Sequence, residues 1–162
     1  MSDLTVKLNW NGGSRFTCVN AGGIDTAIDA GKQFGASPAE LLLEALGACA
    51  SVDVVSILEE MRTPAAKFEV TLEADHYRTD PSYLIGAKML FDVWGDGVTT
   101  DKLVRAISLS ISKYCSVYHS LRDDLKLWPH FRIHATGAEA SGDYQAVEMA
   151  PPTTEIDLSE IL

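Results

Sequence analysis

Cys49 and Cys115 are the side chains of this sequence best suited to chemistry, and Cys18 is its third sulfhydryl. A thiolate is a nucleophile, and once oxidised to a sulfenic acid it condenses with a second thiol to a disulfide. Two cysteines 66 residues apart serve that chemistry only if folding brings their Cα atoms within about 7 Å. The alternative is inert: free cysteine is among the most buried residue types, and each of the three also fits a core role. Cys18 stands in no motif and is read as structural. No CxxC pair or Cys/His spacing suited to zinc occurs. His130 and His134 on a strand would lie roughly 13 Å apart, too far for one metal. His76 and His119 are isolated, so no metal is expected.

A thiol needs help to ionise, because its ordinary pKa is about 8.5. Asp53, one helical turn beyond Cys49, shares its face and would raise the thiol pKa. A carboxylate in so apolar a segment needs a partner, either a cation or backbone groups. Cys49 falls well beyond the first turn of its helix, where the helix dipole no longer acts. A cation brought by folding or by a second subunit is therefore expected, with Arg15, Lys113 and Arg62 as candidates. Tyr114 and Tyr118 fit either core or pocket.

These residues are carried by alternating helical and extended segments. Leu4, Val6, Leu8 and Trp10 alternate along residues 4–10, the pattern of a half-buried strand. Asn11-Gly12-Gly13 signals a tight turn. A second strand is expected from about Arg15 to Val19, and a third from Thr26 to Ile28. Ser37-Pro38-Ala39-Glu40 opens a helix, with Ser37 as N-cap, Pro38 at the first position and Glu40 as capping-box carboxylate. The helix runs to about Met61, and Pro64 ends it. Its residues are apolar nearly all round, which demands cover on several sides. One small domain cannot cover it, so a partner subunit is expected.

Lys67–His76 alternates again, and Tyr83 to Trp94 reads as its neighbour. A second helix, capped at Thr99 or Thr100, is expected to reach Arg122. Val104, Ile107, Ile111, Cys115 and Tyr118 form its apolar stripe. A last strand is expected over Phe131–Ala135. The order β-β-(β)-α-β-β-α-β points to an α+β fold in a domain of residues 1–136. Residues 137–162, acidic and rich in small residues and proline, read as a loosely packed extension, with Ile156–Leu162 able to dock as a short amphipathic turn.

The 162-residue chain carries a formal net charge of −10, which argues against nucleic acid and anionic membranes as partners. The N-terminal residues lack the pattern of a signal peptide. Leu41–Leu58, the most apolar stretch, is interrupted by Glu44 and Asp53 and reads as a buried helix, not a membrane span. Sparse cysteines fit a reducing, cytoplasmic setting.

Three stretches carry a resemblance. They are Trp10 with Gly12-Gly13, then Ser37 to Leu43 leading to Gly47-Ala48-Cys49 and Asp53-Val54-Val55-Ser56-Ile57-Leu58, then Lys113-Tyr114-Cys115-Ser116-Val117. Over residues 4–135 the chain resembles the OsmC/Ohr family, and within it the OsmC-like branch with Asp four residues after the first Cys and a KYCSV stretch at the second. The resemblance implies an intertwined homodimer around long central helices, with sites at the subunit interface. It implies reduction of organic hydroperoxides, lipid or alkyl, in oxidative-stress defence. Cys49 would be the peroxidatic thiol, and Cys115 would resolve its sulfenic acid as a disulfide. An external dithiol such as a lipoyl group would be the reductant, and no cofactor is implied. Arg15 would match the family's N-terminal arginine, with Asp53 supporting. The family's glutamate falls on Ala39 here, and Glu40 is its neighbour. That departure leaves a second reading open, a non-catalytic dimer that binds a small apolar ligand or senses oxidation.

Overall fold

The computed structural model describes residues 4–149. The chain divides into two compact units, one reaching Ala45 and the other starting at Leu46.

The first unit holds an antiparallel meander of β1 (Val6–Trp10), β2 (Arg15–Asn20) and β3 (Asp25–Asp29) in the order β1-β2-β3. Gly12 and Gly13 have φ of +92° and +58°, values that glycine adopts without steric cost, and they close the first hairpin. The alternation in β1 is real, yet its large apolar side chains are not half-buried as expected. Val6, Leu8 and Trp10 are 61%, 54% and 68% exposed. The pattern prescribes a face that needs cover, and the described residues leave it exposed.

Helix α1 (Pro38–Glu60) begins in the first unit and continues into the second. Its start is the expected capping box. The Glu40 carboxylate accepts from the Ser37 N–H and hydroxyl, both at 2.8 Å, and the Glu40 N–H donates to Ser37 Oγ at 3.3 Å. At its end Arg62 takes φ +57°. The Thr63 N–H reaches back to the Leu58 carbonyl and the Arg62 N–H to that of Glu59, both at 2.9 Å, a Schellman closure. By length and composition α1 could cross a membrane, but Leu46, Ala50, Val54 and Leu58 form a stripe buried in the second unit's core. Val52 remains 67% exposed.

The second unit is built on the sheet β4-β5-β6-β7. Strands β4 (Lys67–His76) and β5 (Leu84–Trp94) are antiparallel, and β5 pairs in parallel with β6 (Lys126–His134). A parallel pair requires a crossover. It is supplied by α2 (Thr100–Leu109), a π-helical turn (Ser110–Tyr114) and the short α3 (Ser116–His119). The core lies between one face of the sheet and the helices: Met89, Phe91, Val93 and Phe131 against the α1 stripe and Leu103, Ala106 and Ile107.

Three expectations change here. The second helix is not continuous to Arg122, because it widens into the π turn and breaks at Cys115, whose ψ is +93°. The last long strand begins at Lys126, not Phe131. Residues 137–149 are not a loose extension. Gln145–Ala146 forms β7 on β6, and Val147 is buried in the core. The Trp94 indole N–H donates to the Ala138 carbonyl at 2.7 Å. Tyr144 donates to Asp92 at 2.5 Å, and Arg132 meets the same carboxylate through Nε and Nη2 at 2.8 and 3.1 Å. His134 Nε2 completes the cluster at 2.7 Å. Burial alone would raise the Asp92 pKa, but Arg132, Tyr144 and His134 hold it down at about 2. Residues 156–162 lie outside the described residues.

A candidate two-thiol site

Cys49 sits midway along α1, half-buried against the core. The crossover brings its neighbours. In the π turn the Cys115 N–H bonds the Ser110 carbonyl at 2.8 Å, five residues back, so the turn holds one residue more than an α-helical one. The chain then leaves the helix at Cys115 and restarts at Ser116. This break brings Cys115, Ser116 and Val117 to the Cys49 side of the crossover, with the Ser116 hydroxyl 3.8 Å from the Cys49 sulfur.

The two thiols are driven in opposite directions. Burial alone would raise Cys49, and the Asp53 charge adds to that. The Val117 N–H, the Cys115 thiol and the Ser116 hydroxyl outweigh both, and the pKa falls below the usual thiol value. Cys115 is completely buried. Burial pushes it up to about 11, with the Cys49 hydrogen bond and charge and the Asp53 charge reinforcing burial, against a Tyr118 N–H that favours its thiolate. Cys49 is thus the more acidic of the two thiols and Cys115 the less.

The help that Cys49 receives is thus from hydrogen-bond donors, where the sequence led us to look for a cation. Lys113 places its ammonium 5.2 Å from the Tyr114 ring centroid. Asp53 has its expected effect on Cys49, and its neighbour is the Ser110 hydroxyl, within 3.1 Å of both Asp53 Oδ2 and the Ala50 carbonyl. Ser110, Ser116 and the Val117 N–H were not foreseen. Ser116 and Val117 lay in a stretch quoted for its cysteine, and nothing in the helical periodicity announced the break that turns them toward α1.

Arg15 and Glu40 belong to the first unit. The Arg15 guanidinium lies 5.0 Å from the Phe34 ring centroid, and its Nε reaches the Gly12 carbonyl at 3.5 Å. Glu40 pairs with Lys32 at 2.7 Å, and that bond, with those from Ser37, lowers its pKa to about 2. Within that unit neither residue is bonded to the other. Cys18 lies on β2 opposite Leu8 and Thr26. Among the described residues no group of three or more His, Cys, Asp or Glu side chains could hold a metal.

A cleft of about 780 Å³ runs along α1 and α2, and neither Cys49 nor Cys115 lines it. Ile57, Met61 and Leu109 give it an apolar wall, and Asp53, Glu60, Asp101, Lys102 and Arg105 a charged one. Its size is that of a small-molecule site.

A parallel-crossover α+β unit with two thiols that influence each other, one on the central helix and one at a break in the crossover, defines the class. The chain belongs to the OsmC-like protein family, whose model matches residues 30–129. It is 32% identical to Protein YhfA of Escherichia coli K12 over 133 residues, covering 82% of this chain and 99% of that protein. A hypothetical protein from Aquifex aeolicus VF5 has the same fold, with a TM-score of 0.75, 24% identity, and coverage of 83% of this chain and 98% of that one. The organic hydroperoxide resistance protein OhrB of Bacillus subtilis also shares it, with a TM-score of 0.59, 14% identity, and coverage of 79% and 98%.

Proposed function

We propose that this chain is a cysteine-based reductase of organic hydroperoxides, acting in oxidative-stress defence. The observation that carries the reading is the thiol pair: a half-buried Cys49 whose pKa is lowered, with the Ser116 hydroxyl 3.8 Å from its sulfur, and a fully buried Cys115 whose pKa is raised by burial and by Cys49. A nucleophile needs its thiolate, and a resolving partner must stand within reach of the sulfenic acid. Cys49 is the nucleophile and Cys115 the resolving thiol. The apolar surroundings of Cys49, which packs against the hydrophobic core, suit alkyl or lipid hydroperoxides over hydrogen peroxide. An external dithiol, a lipoyl group for example, returns the disulfide to two thiols. Asp53 sets the charge around the pair, while Arg15 and Glu40 enter through the family resemblance alone.

The working form is a homodimer in the cytoplasm. The exposed Val6, Leu8 and Trp10 face of β1 and the exposed Val52 on α1 are the surfaces a second copy would cover. Light scattering coupled to size exclusion reads the mass directly.

The test of activity is consumption of cumene hydroperoxide with dihydrolipoamide as reductant. Turnover is expected in the wild type and not in Cys49→Ser. Absence of turnover with every dithiol tried removes the reading. One observation favours a second, sensing role: the Glu40 carboxylate is engaged by Ser37 and Lys32. That role predicts one stoichiometric Cys49–Cys115 disulfide per chain without sustained turnover.

A further inference from the structure

We propose that the cleft along α1 and α2 binds a short apolar peptide as a zwitterion, its carboxylate held by Arg105 and its ammonium by Glu60. The inference stands apart from the thiol chemistry, since neither cysteine lines the cleft. Every lining residue belongs to the second unit. Of the five charged side chains in its wall, three have an evident role in the fold. Asp53 accepts from the Ser110 hydroxyl. The Lys102 ammonium donates to the Met61 carbonyl at 3.3 Å, where a cation offsets the negative end of α1. Asp101 stands in the first turn of α2, where the helix dipole favours a carboxylate.

Glu60 and Arg105 have no such role. Glu60 is the last residue of α1, and a carboxylate at that end runs against the dipole. Arg105 sits one turn after Asp101 on α2, at a spacing that suits an ion pair. Yet among the described residues neither the Glu60 nor the Arg105 side chain makes an ion pair, a hydrogen bond or a ring contact. Two opposite charges thus line one cleft from different helices, neither answered by the other. Ile57 from α1, Leu109 from α2 and Met61 at the end of α1 give the same cleft its apolar surface. A ligand that complements all of this carries a carboxylate, an ammonium and an apolar body. The guanidinium fork suits the carboxylate, and Glu60 suits the ammonium. A simple anion would be repelled by Glu60, and a simple cation by Arg105. At about 780 Å³ the cleft has room for more than a free amino acid, and a peptide of two or three residues fits that size.

Leucyl-leucine is the probe, titrated into the full chain by calorimetry while the methyl signals of Met61 and Leu109 are followed by NMR. Binding with a Kd of about 1 mM or tighter is expected, with both methyl signals moving. Leucyl-leucinamide lacks the carboxylate and N-acetyl-leucyl-leucine lacks the ammonium, and each should bind at least about fivefold more weakly. Arg105→Gln should weaken leucyl-leucine by the same factor and make no further distinction against the amide. Glu60→Gln should behave likewise toward the acetylated peptide. Both positions are exposed on their helices and glutamine is a good helix former, so both variants should fold. No saturable binding up to about 10 mM overturns the proposal. Binding that ignores the blocking groups, or that persists unchanged in both variants, overturns it as well. A dimer that falls to monomers in either variant, with no peptide bound by the wild type, also overturns it and assigns the cleft to contact between copies.

Discussion

Replacing Ser116 with alanine tests the account of how Cys49 is ionised. The hydroxyl stands 3.8 Å from the Cys49 sulfur. A hydrogen bond to a charged group contributes about 1.5–3 kcal/mol. Here the contact is long, the acceptor is a diffuse sulfur and Ser116 is exposed, so water replaces part of what is lost and about 1 kcal/mol is the reasonable share. That energy corresponds to about a fivefold fall in the Cys49 thiolate population below its midpoint. The assay is the rate of Cys49 alkylation by iodoacetamide against pH, read site by site by mass spectrometry so that Cys18 and Cys115 do not interfere. The Ser116→Ala midpoint should move to higher pH, with a neutral-pH rate about fivefold lower and an alkaline plateau close to wild type. Ser116→Thr, which keeps the hydroxyl, should restore most of the loss. A midpoint that stays in place in Ser116→Ala, with the protein folded, refutes the argument that donors on the crossover ionise Cys49.

Asp53→Asn should act in the opposite direction. Its charge opposes ionisation of both thiols, so Cys49 alkylation should persist to lower pH than in the wild type, and an upward midpoint would contradict this. Asp92 supplies acid sensitivity. Its carboxyl lies at about 2 in the fold against an ordinary 3.8, a difference of about 2 kcal/mol. That stability is fully present above the unfolded value and is lost as pH falls through the folded one, because the unfolded chain binds the proton first. Asp92→Asn should therefore cost about 2 kcal/mol in urea unfolding at neutral pH and flatten the acid limb between about pH 2 and 4. An unchanged limb would place the acid sensitivity elsewhere. Tyr144→Phe removes the hydroxyl bonded to the same carboxylate and should lower stability by about 1 kcal/mol, with a matching fall in Tm and no change in Cys49 alkylation. Leu8→Asp, on the exposed face of β1, should yield a monomer by light scattering if that face is where a second copy sits.

The sequence carried most of the fold. The Ser37–Glu40 box, the turn at Gly12-Gly13 and the alternation of Lys67–His76 all leave local signatures, and each forms as written. The break at Cys115 left none. Val104, Ile107, Ile111, Cys115 and Tyr118 keep three- and four-residue spacing, and a π turn adds a residue without changing the polarity of its neighbours. The docking of residues 137–149 was equally silent. It depends on two apolar side chains, Val147 and Met149, and on long-range partners of Asp92 that mean little apart. At the site, the two cysteines were legible as a motif and the sense of Asp53 followed from helical geometry. The groups that offset Asp53 were not legible, because a backbone N–H has no letter in the sequence and reaches Cys49 only through the crossover.

The extra residue in the π turn also decides what the loss of a single codon would do. The Cys115 N–H bonds the Ser110 carbonyl from five residues on. Deleting Ser112, an exposed member of the turn, would leave the same N–H four residues from that carbonyl, the α-helical spacing. Cys115 would therefore stay close to its place while the wide turn tightened behind it. A deletion of the same size within α2 would instead turn each residue after it by about 100° and move it by about 1.5 Å along the axis. The wide turn is thus slack in the crossover, able to absorb a lost residue that the regular helix before it could not.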